Sequence, residues 1–205
     1  MIGMGETIMD IIFRNGQPQA AVHGGSSFNS IVSVGRTGVP CVFVGDTGAD
    51  IVGRQTLDFM RANHVGTDYC PMRPDVKSAV SLAYLDDNGD ASYVFYKQKP
   101  EAPKEWTLPQ INADDVLLYG SYFASCRGMR PLVEDMLSHA TAGGAIIYYD
   151  INFRSSHSHE LEALLPTIED NCRRSSIVRG SADDFEVLFG ERDAATIYDR
   201  HIRKL

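Results

Sequence analysis

Residues 24–35 read Gly-Gly-Ser-Ser-Phe-Asn-Ser-Ile-Val-Ser-Val-Gly. A small-residue turn that runs into a helix leaves its first amides free, and such amides hold anions. No Lys-Ser/Thr pair follows the glycines, so this is not a nucleotide-binding phosphate loop. Asn29 suggests a different ligand. A carboxamide in the first turn donates and accepts at once, which suits a sugar hydroxyl better than a phosphate. The stretch also reads as a plain turn capped by Ser26 or Ser27, and spacing alone leaves both readings open.

A second glycine cluster, Gly45-Asp-Thr-Gly-Ala-Asp-Ile-Val-Gly53, follows the apolar run at 41–44. That places it on the carboxyl edge of a parallel strand, where α/β proteins bind ligands. It reads equally as a capped turn, with Asp46 or Thr47 heading a helix over 49–63. The glycines of residues 3–7 make a poor dinucleotide fingerprint. The third glycine is missing, and strand-like Ile-Met-Asp-Ile-Ile-Phe follows instead of a helix, which argues against an oxidoreductase. His157 and His159 lack a third ligand and read as solvated. Asp183 and Asp184 stand where a helix dipole favours acids. His23 and Trp106 read as packing residues.

These residues need elements to position them. Two Asn-Gly turns, Asn15-Gly16 and the one within 86–90, each sit between strand-like runs and predict two hairpins, 8–23 and 78–97. Elsewhere strands alternate with helices. Strands fall at 41–45, 115–120, 145–149 and 176–179. Helices begin around Ile31 and cover 49–63, 129–141, 159–170, 182–190 (closed by Gly190) and 193–204. This alternation predicts an α/β fold with a doubly wound, mostly parallel sheet. The hairpins predict a small separate sheet beside it.

With 27 acids against 19 bases the chain carries a net charge of −8, which argues against a nucleic-acid surface built on clustered cations. No apolar stretch is long enough to span a membrane, and the first residues carry no basic signal region. Cys41, Cys70, Cys126 and Cys172 are scattered, which predicts free thiols and a cytoplasmic location.

Together, Gly24 to Gly53 give the layout G-G-x-x-x-N…G…G-x-x-G-x-D-x-x-G, which resembles the ribokinase-like PfkB carbohydrate kinase family. Gly5-Glu-Thr with Asp10, Tyr149-Asp-Ile-Asn-Phe-Arg154 and Val178 to Gly190 extend the likeness along the chain. Asp-Ile-Asn-Phe-Arg and Ser181 make it most similar to the fructokinases of that family. The sequence departs from the family pattern at Ser27, at Lys97 (where fructokinases often carry Arg) and at Ser181 and Asp184 (where N-x-x-E is usual).

The resemblance implies a single ribokinase-like domain over 1–205, with the hairpins about 8–23 and 78–97 inserted as a β-sheet lid. It implies ATP-dependent phosphorylation of a sugar hydroxyl, with ATP and Mg²⁺ as cofactors. Asp10, Gly24, Gly25 and Asn29 match the sugar-contacting positions, and Lys97 and Arg154 match positions that approach the substrate. Arg154 also reads as an ion partner of Asp150. Ser181 and Asp184 occupy the position that organises nucleotide phosphate and metal. Family members carry a later Gly-Ala-Gly-Asp motif whose Asp is the general base, followed by most of the adenine pocket. These 205 residues do not contain it. The expectation is therefore an incomplete domain without appreciable kinase activity. An inactive sugar-binding module or a truncated gene product is the alternative. An uncovered sheet edge at 176–179 further predicts a homodimer through that edge or the lid. The partner is a small-molecule sugar. Fructose is favoured by the resemblance, and ribose, adenosine or a keto-deoxy acid remain open.

Overall fold

In the computed structural model, which describes residues 1–205 except 87, 90 and 100, Asn15 and Gly16 turn the chain with φ of 51° and 72°. Both values are left-handed, as the primed hairpin turn requires and as Asn-Gly allows. The elements form two compact units, Gly3–Lys99 and Met1–Ile2 with Pro100–Leu205.

The first strand, β1 (Ile2–Met4), leads to the hairpin strands β2 (Ile8–Arg14) and β3 (Gln17–Gly24). Helix α1 (Ser26–Arg36) starts five residues before the expected Ile31, and neither Ser26 nor Ser27 caps it. Gly25 does, at φ 130°, a backbone conformation that side chains resist, so the helix begins immediately after it. Ser27 is instead buried against Gly5.

After β4 (Cys41–Val44), the two-residue β5 (Thr47–Gly48) is drawn into parallel pairing with a later segment. The cap of α2 (Ile51–Ala62) therefore falls to Asp50, not to Asp46 or Thr47, and its Oδ1 accepts from the Gly53 amide at 3.0 Å. Next come β6 (Val65–Gly66), parallel to β4, and β7 (Met72–Arg73), the partner of β5. Phe28, Ile31, Phe43 and Met60 are fully buried in this unit, with Phe28 edge-on to Phe43 at 5.8 Å.

The second hairpin joins β8 (Val80–Leu85) to β9 (Ala91–Tyr96). In its turn the Asp86 carbonyl accepts from the Gly89 amide at 3.1 Å, while Asp87 and Asp90 lie outside the described residues. The hairpins form a separate four-stranded sheet, β3-β2-β8-β9, as the sequence led us to expect. Its central pair, β2 and β8, runs parallel, with Asp10 opposite Ser81.

The other unit is built on β10 (Val116–Gly120), α3 (Ser121–Ser125), α4 (Arg130–Gly143), β11 (Ile146–Asp150), α5 (Leu161–Arg173), β12 (Ile177–Arg179), α6 (Ala182–Phe189) and α7 (Ala194–Ile197). Strands β10, β11 and β12 are parallel neighbours, with Val116 opposite Ile146 and Tyr148 opposite Ile177. Leu117, Tyr119, Val133, Leu137 and Tyr149 fill the core. Gly190 closes α6 in the left-handed conformation, as expected. The expected helix over 193–204 is one α turn followed by a π turn, Tyr198–Ile202. All four cysteines are free and buried, and burial pushes the Cys70 and Cys172 thiols up to about 12, away from thiolate chemistry.

Candidate functional site

Asp10 lies mid-strand in β2 and is half-buried. Its Oδ1 accepts the hydroxyl of Ser81, its partner in β8, and Ser81 is fully buried. Its other oxygen lies over Gly24, the last residue of β3. A Cβ built on Gly24 would stand 2.6 Å from Oδ2. The bare glycine is what admits the carboxylate. On the next residue a Cβ would meet the Glu6 carbonyl at 2.4 Å, so the Gly25 turn fits closely against the segment after β1. The structure thus gathers Asp10, Gly24 and Gly25 around one corner of the small sheet. Asn29 lies in the first turn of α1, and its backbone amide donates to the Gly25 carbonyl at 2.9 Å. Its side chain is exposed and has no hydrogen bond among the described residues.

Lys97 is already engaged. Its Nζ donates to both Glu6 oxygens, at 3.0 and 2.9 Å, and lies 5.5 Å from the Phe95 ring centre. The glycine cluster at 45–53 is tied to the start of β8. The Asp50 carboxylate accepts from the Ser78 amide at 3.0 Å and the Ser78 hydroxyl at 2.7 Å, besides capping α2. Burial disfavours the Asp50 anion, but the Ser78 and Gly53 amides, the Ser78 hydroxyl and Lys77 outweigh it and hold the carboxyl below its ordinary range. Asp46 pairs with Arg73 at 2.8 Å, and Arg73 also holds Asp75. His23 packs on Phe59 and bonds Thr56, and burial lowers its pKa.

The remaining candidates belong to the other unit. Arg154 is exposed and, among the described residues, forms no side-chain hydrogen bond or ion pair. Asp150 pairs with Arg179 at 2.9 Å, so Arg154 is not its partner. Between them Asn152 turns the chain at φ 37°, a left-handed value that asparagine tolerates. Ser181 and Asp184 form a capping box. The Ser181 hydroxyl accepts the Asp184 amide at 3.1 Å, and Asp184 Oδ2 accepts the Ser181 amide at 2.7 Å and its hydroxyl at 2.8 Å. Asp184 is buried, with one oxygen committed to the helix start. No group of three His, Cys, Asp or Glu among the described residues gathers as a metal site. His157 stacks on Tyr122 at 3.9 Å, and Trp106 donates to Asp135 at 2.7 Å.

Sequence reasoning did not single out Ser81, Ser78 or Arg179, and it quoted Glu6 only within a motif. Each acts through a strand neighbour or a residue far along the chain.

Residues 4–201 match the model of the pfkB family carbohydrate kinases. The chain is 27% identical over 199 residues to a fructokinase of Rhizobium leguminosarum bv. trifolii, covering 93% of this chain and 60% of that enzyme. It is 28% identical over 192 residues to aminoimidazole riboside kinase of Salmonella typhimurium, covering 91% of this chain and 59% of that enzyme. It therefore spans about 60% of the length of these relatives. Among solved structures, it superposes on fructokinase from Vibrio cholerae O395 with fructose, ADP and calcium bound, at a TM-score of 0.84 and 21% identity, over 98% of this chain and 67% of that one. Aminoimidazole riboside kinase from Salmonella enterica, with aminoimidazole riboside and an ATP analogue, gives 0.81 and 23%, over 98% and 67%. The mixed α/β fold, with parallel strands and a separate small sheet, is that of ribokinase-like kinases.

Proposed function

The chain belongs to the pfkB family of carbohydrate kinases, and from that premise we propose that it grips a neutral sugar for ATP-dependent phosphorylation of one sugar hydroxyl, with fructose as the first candidate. The supporting observation is the Asp10 carboxylate, held by Ser81 through one oxygen and resting on Gly24 with the other. A carboxylate fixed in one orientation accepts from paired sugar hydroxyls at little entropic cost. In this reading Gly24 and Gly25 let the sugar approach the backbone, and Asn29 adds a neutral donor and acceptor. Lys97 approaches the substrate from the end of β9.

Bound ATP, accompanied by Mg²⁺, would supply the phosphoryl group to that hydroxyl. The chain's own residues orient the hydroxyl for this step. The capping box of Ser181 and Asp184 fixes the start of α6 on the nucleotide side. Asp184 commits one oxygen to that cap and in this reading is the residue that would help hold Mg²⁺. Fructose leads because fructokinases recur among the relatives and among the structural neighbours. A riboside stands second, on the strength of the aminoimidazole riboside kinases.

Titration calorimetry with fructose, on the chain and on Asp10→Ala, tests the grip. Saturable binding that Asp10→Ala abolishes supports it, and equal binding by both rejects it. A coupled ADP-release assay with ATP and fructose reads phosphoryl transfer separately from sugar binding.

A further inference from the structure

Glu6 lies just after β1, with its backbone carbonyl against Gly25. Its carboxylate reaches Lys97, the residue after β9, and takes Nζ with both oxygens, at 3.0 and 2.9 Å. Both side chains are mostly covered, with 17% of Lys97 and 28% of Glu6 exposed. Strand register shows where the pair lies. Ile8 is opposite Gly24, Met9 opposite Val80, and Val80 opposite Tyr96. Lys97 therefore leaves the small sheet at the end where Gly24 sits, beside the corner that holds Asp10.

A lone ammonium there would attract a ligand bearing a carboxylate or a phosphate. With Glu6 across it, the pair carries no net charge, and Asp10 adds a negative one. A ligand with its own anionic group then meets a carboxylate without a compensating cation, and like charges brought together at a binding site are costly. A neutral polyol meets no such penalty.

Resting on the sugar-site reading above, we propose that Glu6 sets the substrate class: by neutralising Lys97 it makes this a site for uncharged sugars and turns away sugars that carry a carboxylate or phosphate. The control is one of repulsion, and a specificity device of that kind is undone by removing the repelling element.

Calorimetric titrations with fructose and with 2-ketogluconate, a keto sugar acid, test the proposal on three proteins: the unaltered chain, Glu6→Gln, and Glu6→Gln with Lys97→Met. The unaltered chain should bind fructose in preference to the acid. Glu6→Gln, which keeps the shape and removes the charge, should raise the acid-to-fructose affinity ratio by about tenfold or more. The double variant should lose that gain, because the Lys97 ammonium is gone. An unchanged ratio in Glu6→Gln with fructose binding retained overturns the proposal. So does an unaltered chain that binds the acid as tightly as fructose. An unaltered chain that binds neither overturns the sugar-site reading first, and the charge inference with it. If circular dichroism shows Glu6→Gln unfolded, Glu6→Ser carries the same comparison.

Discussion

The hydroxyl of Ser81 donates to Oδ1 of Asp10, and the two residues face each other on adjacent parallel strands. Ser81 is wholly buried, so the bond is shielded from water on the serine side. The serine thereby fixes which way the acid points.

Ser81→Ala should lower stability by about 1–3 kcal/mol, the usual cost of removing a buried partner from a charged group. It should also weaken fructose binding, by roughly tenfold, because Asp10 then samples other rotamers. Thermal melts and calorimetry read the two effects. Full retention of fructose affinity in a destabilised protein would show that the bond serves the fold alone.

The two glycines of the turn should answer differently to alanine. At Gly24 the new methyl would stand 2.6 Å from Asp10 Oδ2, a side-chain atom that can swing away. Gly24→Ala should therefore keep its fold and lose sugar affinity. At Gly25 the methyl would meet backbone, the Glu6 carbonyl, at 2.4 Å, and φ is 130°. Gly25→Ala should lose about 1–3 kcal/mol of stability. Equal melting temperatures for the two variants would contradict this contrast.

Asp50 predicts an acid-sensitive link between α2 and β8. Its carboxyl is held below its ordinary value of 3.8, so the folded state favours the anion. The stability this confers is fully present above that value and is lost as pH falls through the lower folded one. In Asp50→Asn the carboxamide cannot accept from every group the anion serves, so the variant should be less stable near neutrality. The difference from the unaltered chain should shrink below pH 3.8. Denaturant midpoints measured across that range check it, and a constant difference down to the most acid point would rule it out.

The capping box makes a prediction without nucleotide. Ser181→Ala should cost about 1 kcal/mol, within the range for lost N-caps. The loss should appear in thermal melts of the protein free of ATP. If only ATP-dependent signals changed, the cap would not be the pair's main task.

Much of the fold was legible because its signals are local. Asn15 and Gly16 each tolerate positive φ, so the first hairpin could be read from two residues. The buried strands showed as apolar runs, and Gly190 marked the end of α6. Legibility failed where polarity hid a helix or where partners were remote. Ser26 to Asn29 carry only one large apolar residue, Phe28, so the start of α1 was invisible, and the last polar segment looked more regular than its single α turn. The site divides the same way. Asp10, Gly24, Gly25 and Asn29 stood out by type and spacing. Ser81 is 71 residues from Asp10, and Glu6 is 91 residues from Lys97. No local pattern announces pairs at that separation, since a strand register decides them. Nor could composition tell that Arg179, rather than Arg154, would pair with Asp150.

The parallel pairing of β2 with β8 limits how this protein can vary. Side chains alternate along a strand, so deleting one residue ahead of Asp10 or of Ser81 in its strand would turn the two to opposite faces. Substitutions can be absorbed here singly, but a change in strand length cannot. Natural gains and losses of residues should gather at the hairpin tips, Asn15-Gly16 and Asn88-Gly89, where the chain can lengthen without moving the acid.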